Sequence, residues 1–449
     1  MGSEGGARAF ETTPVAKDTP CAAGPLAGKT VAVVHAAWHS CGSYQVNASQ
    51  IDAYRALGAR AISVAMMDVL SPPAPPGGRW ADYLAATQDL AADRRYFTAP
   101  PHSSLWASPL LKDGWWPLIR GDQASWLIEL AKRAPIPAGF ETERVDLIHA
   151  NHYFTLPLAQ RLRGAGTAPI IVETQDIQAR QYVLRNQGGF FIPPYASYED
   201  MLAVELDWTG QADLCVHLNE EENAEFQQLL PRARHALVYP AVAPVPLSGV
   251  GRNIVIVASD NYANFVSLRW FLNEVLPLAG DVPVSIYGNI DAGAKNRDKA
   301  LYEAHRALFK GRVADLGAVY AGAGCILLPT IEGHGLSIKA VEALSSGAPL
   351  IATPAAFRGM GVDPSRLANV TLRGDAAGFA AALRETSARL RAGVAPPQGS
   401  ATSDTRRLYD AMFSPRAYAD ALARIAVPLL GRQTRQEPAE LRSDQTEQP

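Results

Sequence analysis

Pro329-Thr-Ile-Glu-Gly-His-Gly-Leu-Ser-Ile-Lys-Ala-Val-Glu-Ala-Leu-Ser-Ser-Gly-Ala-Pro-Leu-Ile-Ala-Thr353 reads as strand end, glycine-bracketed loop, helix, turn and strand. The apolar run Gly324-Cys-Ile-Leu-Leu-Pro329 just before it has the composition of a strand buried on both faces of a parallel sheet. Gly333 and Gly335 let the backbone turn sharply and let a ligand come close. Ser337 is suited to cap the helix that follows. The free N–H groups at that helix start favour an anionic group such as a diphosphate. Leu336 stands between Gly335 and the cap, within the same ligand-facing loop. Glu342 lies more than a turn into the helix, where a carboxylate can accept from the paired hydroxyls of a ribose. Taken together these residues point to a nucleotide site. The glycines alone do not, because similar strand-to-helix turns occur in α/β proteins that bind no nucleotide.

Outward from this stretch the chain repeats one pattern, strand then helix. Strands are predicted at Thr30-Val-Ala-Val-Val-His-Ala36, Ala61–Met66, Asp146–His149, Pro169–Glu173, Asp213–His217 and Ala236–Tyr239, with a helix around Ser49–Leu57. A second set follows at Asn253–Ala258, Pro283–Tyr287, Cys325–Leu328, Pro349–Ala352 and Asn369–Leu372, with a helix over Val266–Val275. Alternating strands and helices imply parallel sheets with right-handed crossovers. Two such sheets make an α/β chain with a ligand cleft expected between them, at the carboxyl ends of the strands. The expected organisation is a flexible tail over 1–27, a first domain over 28–240, a second over 252–413, a helix over 414–430 and a disordered tail over 431–449. Residues 71–144 read as less regular, with a Pro/Gly cluster at 71–78.

Composition agrees with a soluble enzyme. Apolar residues make up 48% and charged residues 19%, so large cores can form, and a net charge of −3 gives no basic field for nucleic acid. The four cysteines, Cys21, Cys41, Cys215 and Cys325, match no metal-ligand spacing. Cys215 and Cys325 fall in apolar strands and read as core. No metal site is expected, and a reducing, cytoplasmic location is the simpler inference. No apolar run is long enough to span a bilayer, and the first residues lack the apolar core of a signal peptide.

The opening stretch resembles the signature of retaining glycosyltransferases with two Rossmann-like domains (the GT-B architecture), in particular family 4. Glu342-Ala-Leu-Ser-Ser-Gly-Ala-Pro-Leu-Ile-Ala-Thr353 is close to a full match to that family's run after its second glutamate. Ile254–Asn264 resembles the start of the nucleotide domain, with Asn264 fitting an Asn and Ala263 replacing a Pro. Val284–Gly288 resembles the next strand and its terminal glycine. Gly311-Arg-Val-Ala-Asp-Leu-Gly-Ala-Val-Tyr320 resembles the segment before the donor strand. The resemblance covers about 250–360 well and the first half loosely. It implies a metal-independent, retaining transfer of a sugar from a nucleoside diphosphate sugar, with no cofactor beyond that donor. It also implies that the 414–430 helix returns to the first domain. The acceptor would be a glycan, glycolipid or protein.

The departures shape the site. Family 4 glutamates are separated by seven residues, whereas nine separate Glu332 from Glu342, and counting back from Glu342 lands on His334. Glu332 and His334 are therefore both candidates to face the donor sugar, with Glu332 preferred because a carboxylate accepts two hydroxyl hydrogen bonds. Ser337-Ile-Lys339 resembles a branch with a Lys-Ile-Lys run whose first Lys is lost. The usual Arg and Lys of the diphosphate clamp are not evident, so Lys339 or Arg312 is expected to supply charge. Each also reads as an ordinary surface residue. In the first domain, Gly42 and Ser43 sit where the family carries a glycine-rich loop. Glu173-Thr-Gln-Asp176 resembles a Thr-His-Asp site in which Gln175 replaces the His, while Asp176 reads equally as a helix cap. His149 and His152 read as core or surface histidines. Trp106, Trp115, Trp116 and Trp126 read as core or lid; if exposed, they would let the chain approach a lipid-linked acceptor at the inner membrane surface. Two other readings fit the same residues: a sugar-nucleotide epimerase, and a non-catalytic sugar-nucleotide binder.

Overall fold

The computed structural model describes residues 24–39, 41–68, 76–100, 111–186, 189–249, 251–333, 335–396 and 398–433. The two expected tails fall almost wholly outside the described residues, as does most of the Pro/Gly cluster. The chain divides into two compact units. The first takes in the described residues up to Leu218, then Glu222–Val238 and those from Ala419 onward; the second takes in Asn219–Glu221 and Tyr239–Tyr418.

The first unit is built on β1 (Thr30–Ala36), β2 (Arg60–Met66), β3 (Arg94–Thr98), β4 (Leu147–Asn151), β5 (Ile170–Glu173), β6 (Leu214–His217) and β7 (His235–Leu237). They form one sheet in the order β3-β2-β1-β4-β5-β6-β7, every pair parallel. Six of the seven residues of β1 are buried, which is why that strand reads as a nearly continuous apolar run. Helices cover the sheet, and Trp126, Tyr153, Phe154 and Phe226 belong to the core beneath them.

The second unit repeats the plan with β8 (Asn253–Val257), β9 (Val284–Tyr287), β10 (Phe309–Gly311), β11 (Ala323–Leu328), β12 (Leu350–Ala352) and β13 (Val370–Leu372). Its order is β10-β9-β8-β11-β12-β13, again parallel. In both sheets the strand order reverses beside the first strand, between β1 and β4 and between β8 and β11. The carboxyl ends of strands at such a reversal are where doubly wound sheets bind ligands. Cys215 and Cys325 are both fully buried core residues.

Two expectations need correction. Residues 76–144 contain regular structure: the helices Pro76–Ala86 and Gln123–Arg133, and β3. β3 escapes a hydrophobicity reading because its Arg94-Arg95 is charged. Arg95 is nonetheless buried, donating to the Thr87 carbonyl at 3.1 Å and lying over the Tyr83 ring. The helix near Ser49 begins earlier, at Gly42, so Gly42 and Ser43 are helix residues and not loop. The tryptophans divide between core and surface: Trp126 is fully buried and Trp115 packs on it at 4.6 Å, while Trp116 is 48% exposed. Trp106 lies outside the described residues.

Candidate functional site

In the second unit, the segment after β11 does what its glycines require. Gly333 has φ 137° and Gly335 φ 62°, both in the range that favours glycine. Ser337 caps the Ile338–Ser346 helix, its hydroxyl accepting from the Ala340 N–H at 3.3 Å. Gly347 ends the helix at φ 67°, where a side chain would run into the Ser400 carbonyl. The Ile331 N–H donates to the Ser267 hydroxyl at 3.1 Å, holding the strand exit. Leu336 is half-buried against the unit's core. Glu332 is exposed and makes no hydrogen bond or ion pair among the described residues. His334 lies outside the described residues.

A cavity of about 400 Å³ opens at the carboxyl ends of β8, β9 and β10. It is lined by Val257, Ala258, Ser259, Gly288, Asn289, Arg312, Val313, Leu316 and Lys339. Three residues singled out from the sequence, Gly288, Arg312 and Lys339, thus meet at one cavity. Gly288 has φ 110°, and a Cβ there would collide with the Ala258 carbonyl oxygen, so the strand end tolerates only glycine. Arg312 is exposed and has no ion-pair partner among the described residues. Asn264 is absent from the lining. Its side chain donates to the Ser259 carbonyl at 2.9 Å and to the Ser259 hydroxyl at 3.2 Å, so it positions a wall residue instead.

Glu342 is already engaged. Lys339 Nζ donates to Glu342 Oε1 at 2.9 Å and to Oε2 at 2.8 Å, and the Tyr320 hydroxyl donates to Oε2 at 2.8 Å. The lysine and glutamate side chains are 30% and 16% exposed. Tyr320 is fully buried, and burial together with the Glu342 carboxylate pushes its hydroxyl far above the ordinary tyrosine range. Lys339 therefore reaches the cavity as one half of an ion pair and not as a free surface charge.

The first unit has its own cavity, about 570 Å³, at the carboxyl ends of β1, β2 and β3. Trp38, His39, Cys41, Ser43, Asp68, Asp82, Tyr83, Phe97 and Arg185 are among its lining residues. Ser43 is placed there and Gly42 is not, although a Cβ at Gly42 would meet nothing within 4 Å. Trp38 donates from its indole to Asp68 at 2.8 Å and packs on His152 at 5.3 Å.

Next to Trp38, the ends of β4 and β5 carry buried polar groups. Gln50 and Asn151 exchange two amide hydrogen bonds, at 3.0 and 2.8 Å, and Gln175 adds a third to Asn151 at 3.0 Å. His152 and Gln175 both have positive φ, 64° and 61°, uncommon for residues with side chains and typical of sites where backbone strain is held in place. Burial lowers His149 and His152 to about 3, so both rings are neutral. Asp176 is raised to about 6 by burial. It does not cap the helix Gln178–Asn186. Glu205 does, accepting from the N–H groups of Gln178 at 3.0 Å and Ala179 at 2.9 Å, while Asp176 accepts from the Gln178 side chain. Local sequence could not show this cap, because Glu205 lies on the following helix, Tyr198–Thr209. Among the described residues no group of three or more His, Cys, Asp or Glu side chains is placed to hold a metal ion. No helix among them is long and apolar enough to cross a membrane.

Residues 251–388 match the family model described as Glycosyl transferases group 1. The resemblance drawn from the sequence thus holds across the second unit's sheet. The sucrose-phosphate synthase of Thermosynechococcus elongatus has a similar structure, with a TM-score of 0.58 at 17% identity over 90% of this chain and 100% of that one. The UDP-forming α,α-trehalose-phosphate synthase from Burkholderia vietnamiensis gives 0.54 at 15% identity, over 90% and 99%. Anabaena HepE in complex with UDP and glucose gives 0.53 at 15% identity, over 88% and 98%. At these identities the likeness defines the fold, which is that of the GT-B glycosyltransferases. No curated protein sequence matches the chain.

Proposed function

We propose that this chain is a retaining glycosyltransferase that moves a sugar from a nucleoside diphosphate sugar to an acceptor hydroxyl, in the synthesis of a glycan or glycoconjugate. One observation carries the reading. The cavity that gathers Gly288, Arg312 and Lys339 lies within the segment that matches the glycosyltransferase family.

The roles follow from the chemistry. The bond between the sugar's anomeric carbon and the diphosphate oxygen breaks, and a bond to the acceptor oxygen forms on the same face. The acceptor proton passes to the departing diphosphate. Negative charge that develops on that leaving group is met by Arg312, by Lys339 and by the N–H groups at the Ser337-capped helix start. Glu342 holds the ribose hydroxyls, sharing its oxygens with Lys339 and Tyr320. Glu332 or His334 faces the sugar. Ser43, Gln175 and Asp176 stand on the acceptor side. No cofactor or metal takes part in this scheme, so chelation should leave turnover unchanged.

The acceptor is a glycan, glycolipid or protein, and the reaction is cytoplasmic. Trp116, Phe190 and Tyr195, 48%, 95% and 64% exposed, are the aromatic groups that would meet a bilayer bearing a lipid-linked acceptor. UDP and UDP-glucose, with which HepE was crystallised, are the first ligands to try. A thermal-shift screen over nucleoside diphosphates and their sugars should raise the melting temperature for one nucleotide series. Slow release of nucleotide from the matching donor, without an acceptor, would follow. No shift with any member of the series would remove the reading. Binding without release would favour a non-catalytic binder.

A further inference from the structure

We infer that Arg358 is a donor-contacting residue, the cation that meets the diphosphate beside Gly333. This rests on the nucleotide reading of the second unit and adds to it a residue that the sequence does not single out.

The placement follows from the sheet. β11 and β12 pair in register, Leu328 opposite Ala352, so the segments leaving at Pro329 and Thr353 start side by side. The Thr353 N–H donates to the Leu328 carbonyl at 3.1 Å, and its hydroxyl donates to the Thr330 carbonyl. The second segment makes one 3-10 turn, Pro354–Phe357, which delivers Arg358 to Gly333. Positive φ at Gly359 and Gly361, 72° and 63°, turns the chain away again, and the Tyr239 hydroxyl pins the Met360 carbonyl at 2.7 Å.

The guanidinium then lies on Gly333. A Cβ at Gly333 would stand 2.6 Å from Arg358 Nη2 and 3.0 Å from Cζ. Gly333 therefore serves two needs, a φ of 137° and room for a cation against the backbone of the loop. Arg358 Nη1 donates to the Ala355 carbonyl at 3.1 Å, which orients the fork. Burial pulls the guanidinium's pKa down and the Glu221 carboxylate opposes this, so an arriving anion adds favourable charge. Lys339 shares its charge with Glu342, so a diphosphate seated beside Gly333 gains from a further cation. A planar guanidinium offers it two parallel donors.

The test uses the full chain and calorimetry. Wild type, Arg358→Met and Arg358→Lys are titrated with UDP, GDP, ADP and dTDP, and with the monophosphate of whichever binds. Arg358→Met should weaken the diphosphate about ten- to hundredfold and the monophosphate less than about threefold. Arg358→Lys should recover part of the loss. Equal weakening of both nucleotides, or none, overturns the assignment and leaves Arg358 as a structural partner of Glu221. If Arg358→Met fails to fold, an Arg358→Lys protein with an unchanged diphosphate-to-monophosphate ratio overturns it as well. If the wild type binds none of the four diphosphates, the nucleotide reading itself falls, and this inference with it.

Discussion

Glu342→Ala tests two consequences of one carboxylate. If Glu342 holds the ribose, its removal should weaken nucleoside diphosphate binding by about 1.5–3 kcal/mol, or roughly ten- to hundredfold in Kd. The structure adds a stability term that the sequence does not reveal. The Tyr320 hydroxyl is buried and donates to Glu342 at 2.8 Å. Without its acceptor that group costs about 1–3 kcal/mol. The partly exposed pair with Lys339 contributes up to about 1 kcal/mol more. The fold should survive, since native domains are stable by about 5–15 kcal/mol. Glu342→Gln separates the two effects. Its amide oxygen still accepts from Tyr320, so most of the stability should return, while the charge that strengthens the ribose hydrogen bonds stays lost. Urea denaturation and calorimetry on both variants read the two terms. Wild-type nucleotide affinity in Glu342→Ala would refute the ribose assignment. Equal destabilisation by Ala and Gln would refute the argument about Tyr320.

Among protein atoms the nearest to an added Cβ at Gly335 is Asn219 Nδ2 at 3.9 Å, so within the protein the glycine is required by φ 62° and not by packing. Gly335→Asn, which tolerates that region, should fold as wild type and lose less nucleotide affinity than Gly335→Val, which should lose at least about tenfold by calorimetry. Glu332→Gln should leave the melting temperature unchanged, because the side chain is exposed, and should lower transfer more than nucleotide affinity. If only His334→Ala lowers transfer, the sugar contact belongs to His334. The buried His149 makes the first unit less stable in acid. His149 is neutral in the fold, lowered to about 3, whereas unfolded histidine titrates near 6.5. The unfolded chain therefore binds more protons below about pH 6.5, and stability falls as pH drops from there toward about 3, by at most about 1.4 kcal/mol per pH unit for this residue. Urea denaturation of His149→Gln should show a shallower acid slope than wild type; identical slopes would contradict a neutral buried ring.

The sequence by itself determined the architecture and the backbone turn and helix start of the candidate site. Apolar strands alternating with helices, a strand end at Leu328, two glycines and the Ser337 cap are local signals, because each depends on backbone conformation within a few residues. β3 and β10 escaped because charge interrupts them: Arg94 and Arg95 open β3, with Arg95 held by the Thr87 carbonyl, and Lys310 is the middle residue of the short β10. Tertiary structure alone decided which charges meet. It set Asn264 behind Ser259 and not in the cavity wall, and it gave the Gln178–Asn186 helix its cap from Glu205 instead of Asp176. It tied Glu342 to Tyr320, 22 positions earlier. It laid Arg358 on Gly333 because β11 and β12 are neighbours in the sheet although a helix separates them in the chain. Local patterns fix where a chain turns and what it buries. Electrostatic partners are fixed by distance in space, which a linear sequence does not record.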